Sequence, residues 1–183
     1  MPLSRRDCDL SPKVGRRSTS LPKRMTYMRT LDDEVTIESS WKNYASERNV
    51  RFNEMEYHLP RENGIAALKE IREVLESQHH EVFFPIEVRW IAADDIWLSP
   101  FNGRDTMSIA VHRYYDEDFE PYFKSIEPIF RKYNGRPHWG KLNTLGHDDF
   151  RALYPRWDDF KRVRAELDPE GRFLNDYLRS LFT

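Results

Sequence analysis

A chain of 183 residues with a formal net charge of −2 is long enough for one domain with a hydrophobic core. It carries no excess of positive charge that would gather nucleic acid or an anionic membrane surface. Its single cysteine, Cys8, excludes an internal disulfide and a cysteine-rich metal site and favours a reducing, cytoplasmic compartment. No apolar run approaches the ~20 residues of a membrane-spanning helix, so no transmembrane span is predicted.

The first fifty residues differ in composition from the remainder. Within residues 1–30 basic side chains are opposed only by Asp7 and Asp9, and no apolar periodicity is present. The basic residues are Arg5, Arg6, Lys13, Arg16, Arg17, Lys23, Arg24 and Arg29. We therefore expect residues 1–50 to form a mostly disordered basic tail. The alternatives are an organelle transit peptide, which the two aspartates disfavour, and a non-native start on a truncated gene.

From residue 51 onward the hydrophobic pattern predicts strands and helices. Strands are predicted over residues 51–59, 82–92 and 106–114. Helices are predicted from Asn63 or Gly64 to about Gln78 and over residues 116–133, 148–153, 157–167 and 173–182. Pro128 should kink or split the second of these helices. The order predicts an α+β fold in which an antiparallel sheet is covered by helices on one face and followed by a tail of short helices.

Two opposite charges interrupt the predicted strand over residues 82–92. Glu87 and Arg89 are two positions apart, so their side chains should leave the same face of the strand. Charges in so apolar a strand are costly unless they are paired or face a polar cavity. The two residues therefore form either a structural ion pair, as on a solvated edge strand, or an acid and a guanidinium that line a pocket.

The strand over residues 106–114 has one face of small and polar residues. Ser108, Ala110 and His112 should share this face, while the apolar residues between them share the other. Two small residues beside a histidine leave room for a ligand. The alternative is a partly buried histidine whose ring nitrogens are satisfied within the protein.

The segment over residues 136–141 (RPHWGK) follows a predicted helix end. Gly140 allows a close backbone approach, and Lys141 would bring a mobile cation into a site from a loop. The alternative is a basic surface turn anchored by Trp139. The other histidines lack a ligand-like spacing with carboxylates, so no metal is expected. Phosphate-binding glycine loops and serine-hydrolase elbows are not found in the sequence.

Several short segments occur in an order and spacing typical of one enzyme family. They are residues 52–57 (FNEMEY), 84–89 (FPIEVR), 93–100 (ADDIWLSP), 104–105 (RD), 136–141 (RPHWGK), 153–155 (LYP), 167–169 (LDP) and 173–175 (FLN). Over about residues 51–182 the sequence thus resembles the C-terminal region of the FAD-linked sugar-1,4-lactone oxidases. This family includes D-arabinono-1,4-lactone oxidase, L-gulonolactone oxidase and the alditol oxidases, and HWGK is its most specific segment here.

The resemblance implies a fold and a reaction. Residues 51–183 would form the substrate, or cap, domain, whose antiparallel sheet covers a flavin. The implied reaction is oxidation of a CH–OH group of a sugar lactone or polyol, with hydride transfer to FAD and dioxygen as the expected acceptor. FAD would be held mainly by a domain absent from this chain, or by a separate flavin-domain chain. By the same resemblance the protein would be cytoplasmic or peripherally associated with a membrane.

The resemblance also implies roles for individual residues. Glu87 would orient substrate hydroxyls, and Arg89 would stabilise negative charge on the substrate or the reduced flavin. Lys141 would lie near the flavin and the reacting hydroxyl, with His138 as a second cofactor-binding residue. His112 would accept the proton of the hydroxyl.

Two positions of the family pattern leave alternatives open. The family's pocket histidine lies on the strand of His112, and its equivalent position is either His112 or Ala110 on the same face. Asn143 stands where the family often has a histidine, so that position has no assigned role. A non-catalytic remnant or interaction module that kept the cap fold without flavin is the rival function, and a pseudogene product without a stable fold is a third.

Overall fold

The computed structural model describes residues 37–45 and 50–182, so Cys8 and most of the basic tail predicted over residues 1–50 lie outside the described residues. The elements in chain order are α1 (Ser40–Tyr44), β1 (Phe52–Pro60), α2 (Arg61–Gln78), β2 (Glu87–Ile91), β3 (Thr106–Tyr114), α3 (Glu120–Lys132), β4 (Arg136–Pro137), α4 (His147–Leu153), α5 (Trp157–Leu167) and α6 (Asp176–Phe182). From residue 51 onward this is the predicted order, with the two-residue strand β4 added.

The four strands form one antiparallel sheet in the order β2-β3-β1-β4. Strands β1 and β3 pair along their whole length, from Phe52 opposite Tyr114 to Pro60 opposite Thr106. Strand β4 pairs with β1 at Tyr57 and His58. The predicted α+β class with an antiparallel sheet and short C-terminal helices is therefore confirmed.

One face of the sheet is apolar and is covered by α2 and α3. Its buried side chains include Met55, Tyr57, Leu59, Met107, Ile109 and Val111. The Tyr57 ring stacks on Phe130 of α3 with 4.8 Å between ring centroids. Helix α2 approaches β3 so closely that a Cβ atom on Gly64 would lie 2.2 Å from the Sδ atom of Met107, so this crossing requires glycine. Burial of this apolar surface is the main source of stability.

Strand β2 is shorter than predicted. Only Glu87–Ile91 pairs with β3, whereas the pattern predicted a strand over residues 82–92. Pro85 has no N–H to donate to a ladder. The rings of Phe83 and Phe84 instead stack on each other with 4.6 Å between centroids. Strand β2 is an edge strand of the described sheet, because it pairs with β3 alone.

The helix bounds also differ from the prediction. Helix α3 begins at Glu120 rather than at residue 116, and Oδ1 of Asp118 accepts the Glu120 N–H at 3.0 Å. It is a single helix that includes Pro128, so of the two predicted alternatives, a kink or a split, the split does not occur. Helix α6 begins at Asp176, not at residue 173.

A cluster of aromatic rings joins the C-terminal helices to the loop after β4. Its members are Trp139, Phe150, Tyr154, Trp157 and Phe182. The indole N–H of Trp139 also donates to the carbonyl of Leu98 at 2.9 Å. These contacts fix the segment that carries Lys141. None of the helices within residues 37–45 and 50–182 is long and apolar enough to cross a bilayer.

Candidate active site

The second face of the sheet is polar, because side chains on each strand alternate between the two faces. This polar face carries Glu54, Glu56, His58, Glu87, Arg89, Ser108, Ala110 and His112. Its register places Glu54 opposite His112 and places Ala110 between Glu56 and Glu87. The predicted sharing of one face by Ser108, Ala110 and His112 is confirmed.

The Glu56 side chain pairs with Arg89, the arginine predicted as a site residue. The glutamate side chain is only 3% exposed, and its Oε1 accepts hydrogen bonds from Nη2 of Arg89 at 2.6 Å and from Oγ of Ser108 at 2.6 Å. The second terminal nitrogen of the guanidinium, Nη1, lies 3.3 Å from Oε1 of Glu87. A buried carboxylate is costly unless it is paired, so Glu56 requires Arg89 as its partner. The hydrogen bond between them fixes the position of the Arg89 guanidinium.

Glu87 and Arg89 form an ion pair on an edge strand and also face a shared surface. The Arg89 side chain remains 50% exposed and that of Glu87 49% exposed. Both side chains thus retain surface that a ligand on the polar face can contact. The ion-pair and pocket interpretations of this sequence pattern are therefore compatible with one geometry.

The Glu54 side chain pairs with Lys141, the lysine predicted as a site residue. The glutamate side chain is 9% exposed, accepts a hydrogen bond from Nζ of Lys141, and lies 3.4 Å from Nε2 of His112. Burial alone would raise the pKa of Glu54, but the contacts with His112 and Lys141 outweigh burial and lower this pKa to about 2. The carboxylate therefore remains ionised at neutral pH.

His112 lies behind Glu54 rather than in open solvent. Its ring packs edge-to-face on Phe52, with 4.9 Å between centroids, and also lies against Phe84. The residue is 8% exposed, and its Nδ1 has no hydrogen-bond partner among the described residues. The imidazole is not among the groups that line the cleft; it contacts Glu54, which is.

The Lys141 loop is aligned along β1 by backbone hydrogen bonds. The N–H of His138 donates to the carbonyl of Glu56 at 2.9 Å, and the N–H of Leu142 donates to the carbonyl of Glu54 at 3.1 Å. Lys141 thereby borders an open cleft of about 490 Å³. The residues that line this cleft are Phe52, Asn53, Glu54, Gly140, Lys141 and Leu142.

His138 is partly committed to the turn that precedes Lys141. Its Nδ1 accepts the N–H of Gly140 at 3.0 Å, and its ring centroid is 5.8 Å from that of His58. Asn143 shapes the same loop, since its Nδ2 donates to the carbonyl of Lys141 at 3.3 Å and its Oδ1 accepts the N–H of Leu145 at 3.1 Å. These two hydrogen bonds give Asn143 a structural role in the loop.

The structure brings the four predicted catalytic residues to one face. Glu87, Arg89 and His112 project from strands, and Lys141 reaches the same face by its contact with Glu54. Within residues 37–45 and 50–182 there is no cluster of three or more histidine, cysteine or acidic side chains that could hold a metal ion.

The sequence prediction missed Glu54 and Glu56. These two acids alternate with apolar residues on β1 just as Glu87 and Arg89 are spaced on β2, so the same two-residue signal was present. His58, the next residue on this face, is buried, and neither ring nitrogen has a hydrogen-bond partner among the described residues, although Nδ1 lies 4.0 Å from Oε1 of Glu56. Burial lowers the pKa of His58 to about 4, so the ring is neutral at pH 7.

An antiparallel sheet with helices on one face and paired charges on the other, of which Glu54 and Lys141 border a cleft, defines an α+β domain. The sequence matches the D-arabinono-1,4-lactone oxidase family over residues 6–181, and the chain belongs to that family. The match begins upstream of residue 51, where the segments described above begin. The family resemblance inferred from the sequence is confirmed.

Individual relatives support the same assignment. The chain is 44% identical to an L-gulono-1,4-lactone dehydrogenase of Mycobacterium tuberculosis over 169 residues, which cover 91% of this chain and 40% of the relative. It is 37% identical to the L-gulonolactone oxidase of Mus musculus, with 78% of this chain and 34% of the relative covered. It is 39% identical to an alditol oxidase of Streptomyces sp., with coverage of 69% and 30%. The chain therefore spans 40% or less of the length of these relatives.

Proposed function

We propose that this chain supplies the substrate-facing wall of a flavin-dependent oxidoreductase that oxidises a hydroxyl of a sugar lactone or polyol. One observation carries the proposal: Arg89 and Lys141 lie on one face of the sheet, each held by a carboxylate of β1. Family membership supports it, as do the relatives, which include a lactone dehydrogenase and an alditol oxidase.

The polar face fits the chemistry of such a reaction. Oxidation of a CH–OH group removes a hydride from carbon and a proton from oxygen, so negative charge develops on the oxygen. Fixed cations at that position stabilise the charge. Arg89, which is half exposed, and Lys141, which borders the cleft, are suited to this task.

The remaining residues of the face have supporting roles in the proposal. Glu87, paired with Arg89 and half exposed, would accept hydrogen bonds from substrate hydroxyls and orient the sugar. His112, whose Nε2 faces the Glu54 carboxylate, would orient that acid rather than take the hydroxyl proton itself.

The residues also fit a flavin at the open side of the cleft. Lys141 and His138 lie on one loop, and the lysine supplies a positive charge suited to the negative charge of a reduced flavin. FAD, when bound, supplies the two-electron acceptor for the hydride, with dioxygen as the proposed final oxidant. The described residues offer the substrate side of such a site, so we propose that FAD is held mainly by polypeptide outside this chain, either a further domain or a separate chain.

The protein purified from its own cells through a tag on the native gene tests the function. We expect flavin absorbance in the preparation, its loss when D-arabinono-1,4-lactone, L-gulono-1,4-lactone or an alditol is added without oxygen, and hydrogen peroxide when air is admitted. Well-folded protein that carries no flavin and binds none of these compounds would overturn the proposal in favour of a non-catalytic module.

A matched pair of lysine variants tests the site within the same preparation. Lys141→Ala should lower the rate of flavin reduction by about 10²-fold or more, as expected for a positioned charge at the reacting group. Lys124→Ala removes an exposed lysine paired with Glu120 on α3 and should leave the rate unchanged. A loss of only a few-fold for Lys141→Ala would show that this lysine is peripheral.

A further inference from the structure

Residue 54 holds the Lys141 segment at two separate points. The Glu54 carbonyl accepts the N–H of Leu142 at 3.1 Å, and its carboxylate accepts a hydrogen bond from the Lys141 ammonium. A lysine side chain is a flexible stem that ends in a strongly hydrated charge. Without a fixed partner its Nζ would sample many positions in the cleft.

The same carboxylate faces the predicted histidine. Glu54 and His112 are direct cross-strand partners in the register of β1 and β3, and Nε2 of His112 lies 3.4 Å from Oε1 of Glu54. The three side chains therefore form a row from the buried imidazole to the partly exposed ammonium, with Glu54 at its centre.

We propose that Glu54 is a positioning residue of this site, which fixes the Lys141 ammonium at the cleft so that the lysine acts as a held cation toward the reacting hydroxyl, and which orients His112 behind it. This inference rests on the proposed oxidoreductase function. The low pKa of Glu54, about 2, agrees with it, because the carboxylate stays charged at working pH.

A second anchor holds the same loop, and the test must separate the two. On α3, Glu127 accepts the Thr144 N–H at 2.7 Å and the Thr144 hydroxyl at 2.6 Å. This anchor fixes the backbone beyond Lys141 and does not touch the lysine side chain. Replacing Glu54 therefore leaves the loop attached and removes the partner of the ammonium.

The first readout is chemical labelling of lysines by an amine-reactive reagent, mapped by mass spectrometry. Glu54→Gln should raise the labelling rate of Lys141 about tenfold, since a hydrogen bond between charged groups is lost. Lys132, which pairs with Glu70, serves as an internal reference and should be unchanged in this variant. Glu70→Gln is the matched control, because it breaks a glutamate–lysine pair outside the polar face.

The second readout is steady-state oxidation of a lactone by the purified protein with its flavin. Glu54→Gln should lower kcat about 10²-fold with little change in KM, and Glu54→Asp, which keeps the charge, should recover part of the loss. Glu70→Gln should match the wild type. If Glu54→Gln fails to unfold cooperatively, Glu54→Asp carries both readouts, with smaller effects in the same directions.

The outcomes separate this inference from the proposed function. Unchanged Lys141 labelling in Glu54→Gln would overturn the positioning role, whether or not kcat falls. Raised labelling with an unchanged kcat would overturn it as well, because Lys141 would then need no fixed partner. Wild-type protein that oxidises no lactone or polyol would refute the function, while labelling would still report whether Glu54 holds Lys141.

Discussion

Glu54 and Glu56 leave the same face of strand β1 and hold one cation each: Glu54 binds the Lys141 ammonium, and Glu56 binds the Arg89 guanidinium at 2.6 Å. Both carboxylates are almost fully buried. A central strand with two buried acids is stable only because each is paired. The positions of the two candidate cations are thus set by one strand.

Glu56→Gln should destabilise the fold and release Arg89. The amide keeps the shape of the side chain but loses the charge that binds Arg89 and Ser108, so we expect a decrease of about 1–2 kcal/mol in the free energy of unfolding, measured in urea. Glu70→Gln, at an exposed pair with Lys132, should change it by less than about 1 kcal/mol. Equal effects of the two variants would contradict the role of Glu56.

Glu127→Ala should loosen the loop that carries Lys141. The buried carboxylate accepts the Tyr57 hydroxyl at 2.5 Å in addition to both groups of Thr144, so truncation leaves a buried donor without a partner. We expect a loss of about 2–3 kcal/mol in stability and faster hydrogen exchange at the Thr144 amide. Glu120→Ala, at an exposed position of the same helix, is the control, and equal exchange rates would refute the anchor.

His58 should make the protein less stable in mild acid. Its pKa is about 4 in the folded chain, below the ordinary 6.5, so the unfolded chain takes up the proton first and stability falls as the pH drops from 6.5 towards 4. His58→Leu should remove about 2 kcal/mol of the decrease between pH 8 and pH 5. His80→Leu, which replaces an exposed histidine, should leave that decrease unchanged. The comparison is made by urea unfolding at both pH values.

Glu54 should give a separate loss of stability at lower pH. Its folded-state pKa of about 2 lies below the ordinary value of 4.5, so its stabilising effect is complete above about pH 4.5 and is lost as the pH falls towards 2. The difference in unfolding free energy between wild type and Glu54→Gln should therefore shrink by roughly 3 kcal/mol over that range. A difference that is independent of pH would contradict the pairing.

The strands with long, regular alternation could be predicted from the sequence. The two faces of β3 follow from the alternation of Met107, Ile109 and Val111 with smaller or polar residues, and the antiparallel α+β class follows from the order of elements. Strand β4 could not be predicted, because Arg136 and Pro137 are too few to show a period. Residues 82–86 were assigned to a strand for their aromatic content, but ring stacking and Pro85 keep them out of the ladder.

The candidate site was predictable where charge interrupted an apolar pattern. Glu87 and Arg89 stood out for that reason, and the HWGK segment identified Lys141. Glu54 and Glu56 did not stand out, because an alternating strand with acids on one face is typical of a solvated surface. Their burial depends on cross-strand and loop partners from distant parts of the chain, which the local pattern does not contain.

In the proposed function the polar face binds the substrate and stabilises charge on its reacting oxygen. The most direct measurement is the rate of anaerobic flavin reduction by saturating lactone in the natively purified protein. We predict that Arg89→Ala lowers this rate by about 10²–10³-fold, while Arg162→Ala, at an exposed position of α5, leaves it unchanged. A rate for Arg89→Ala within about threefold of the wild type would show that the charge on this face does not act on the reaction.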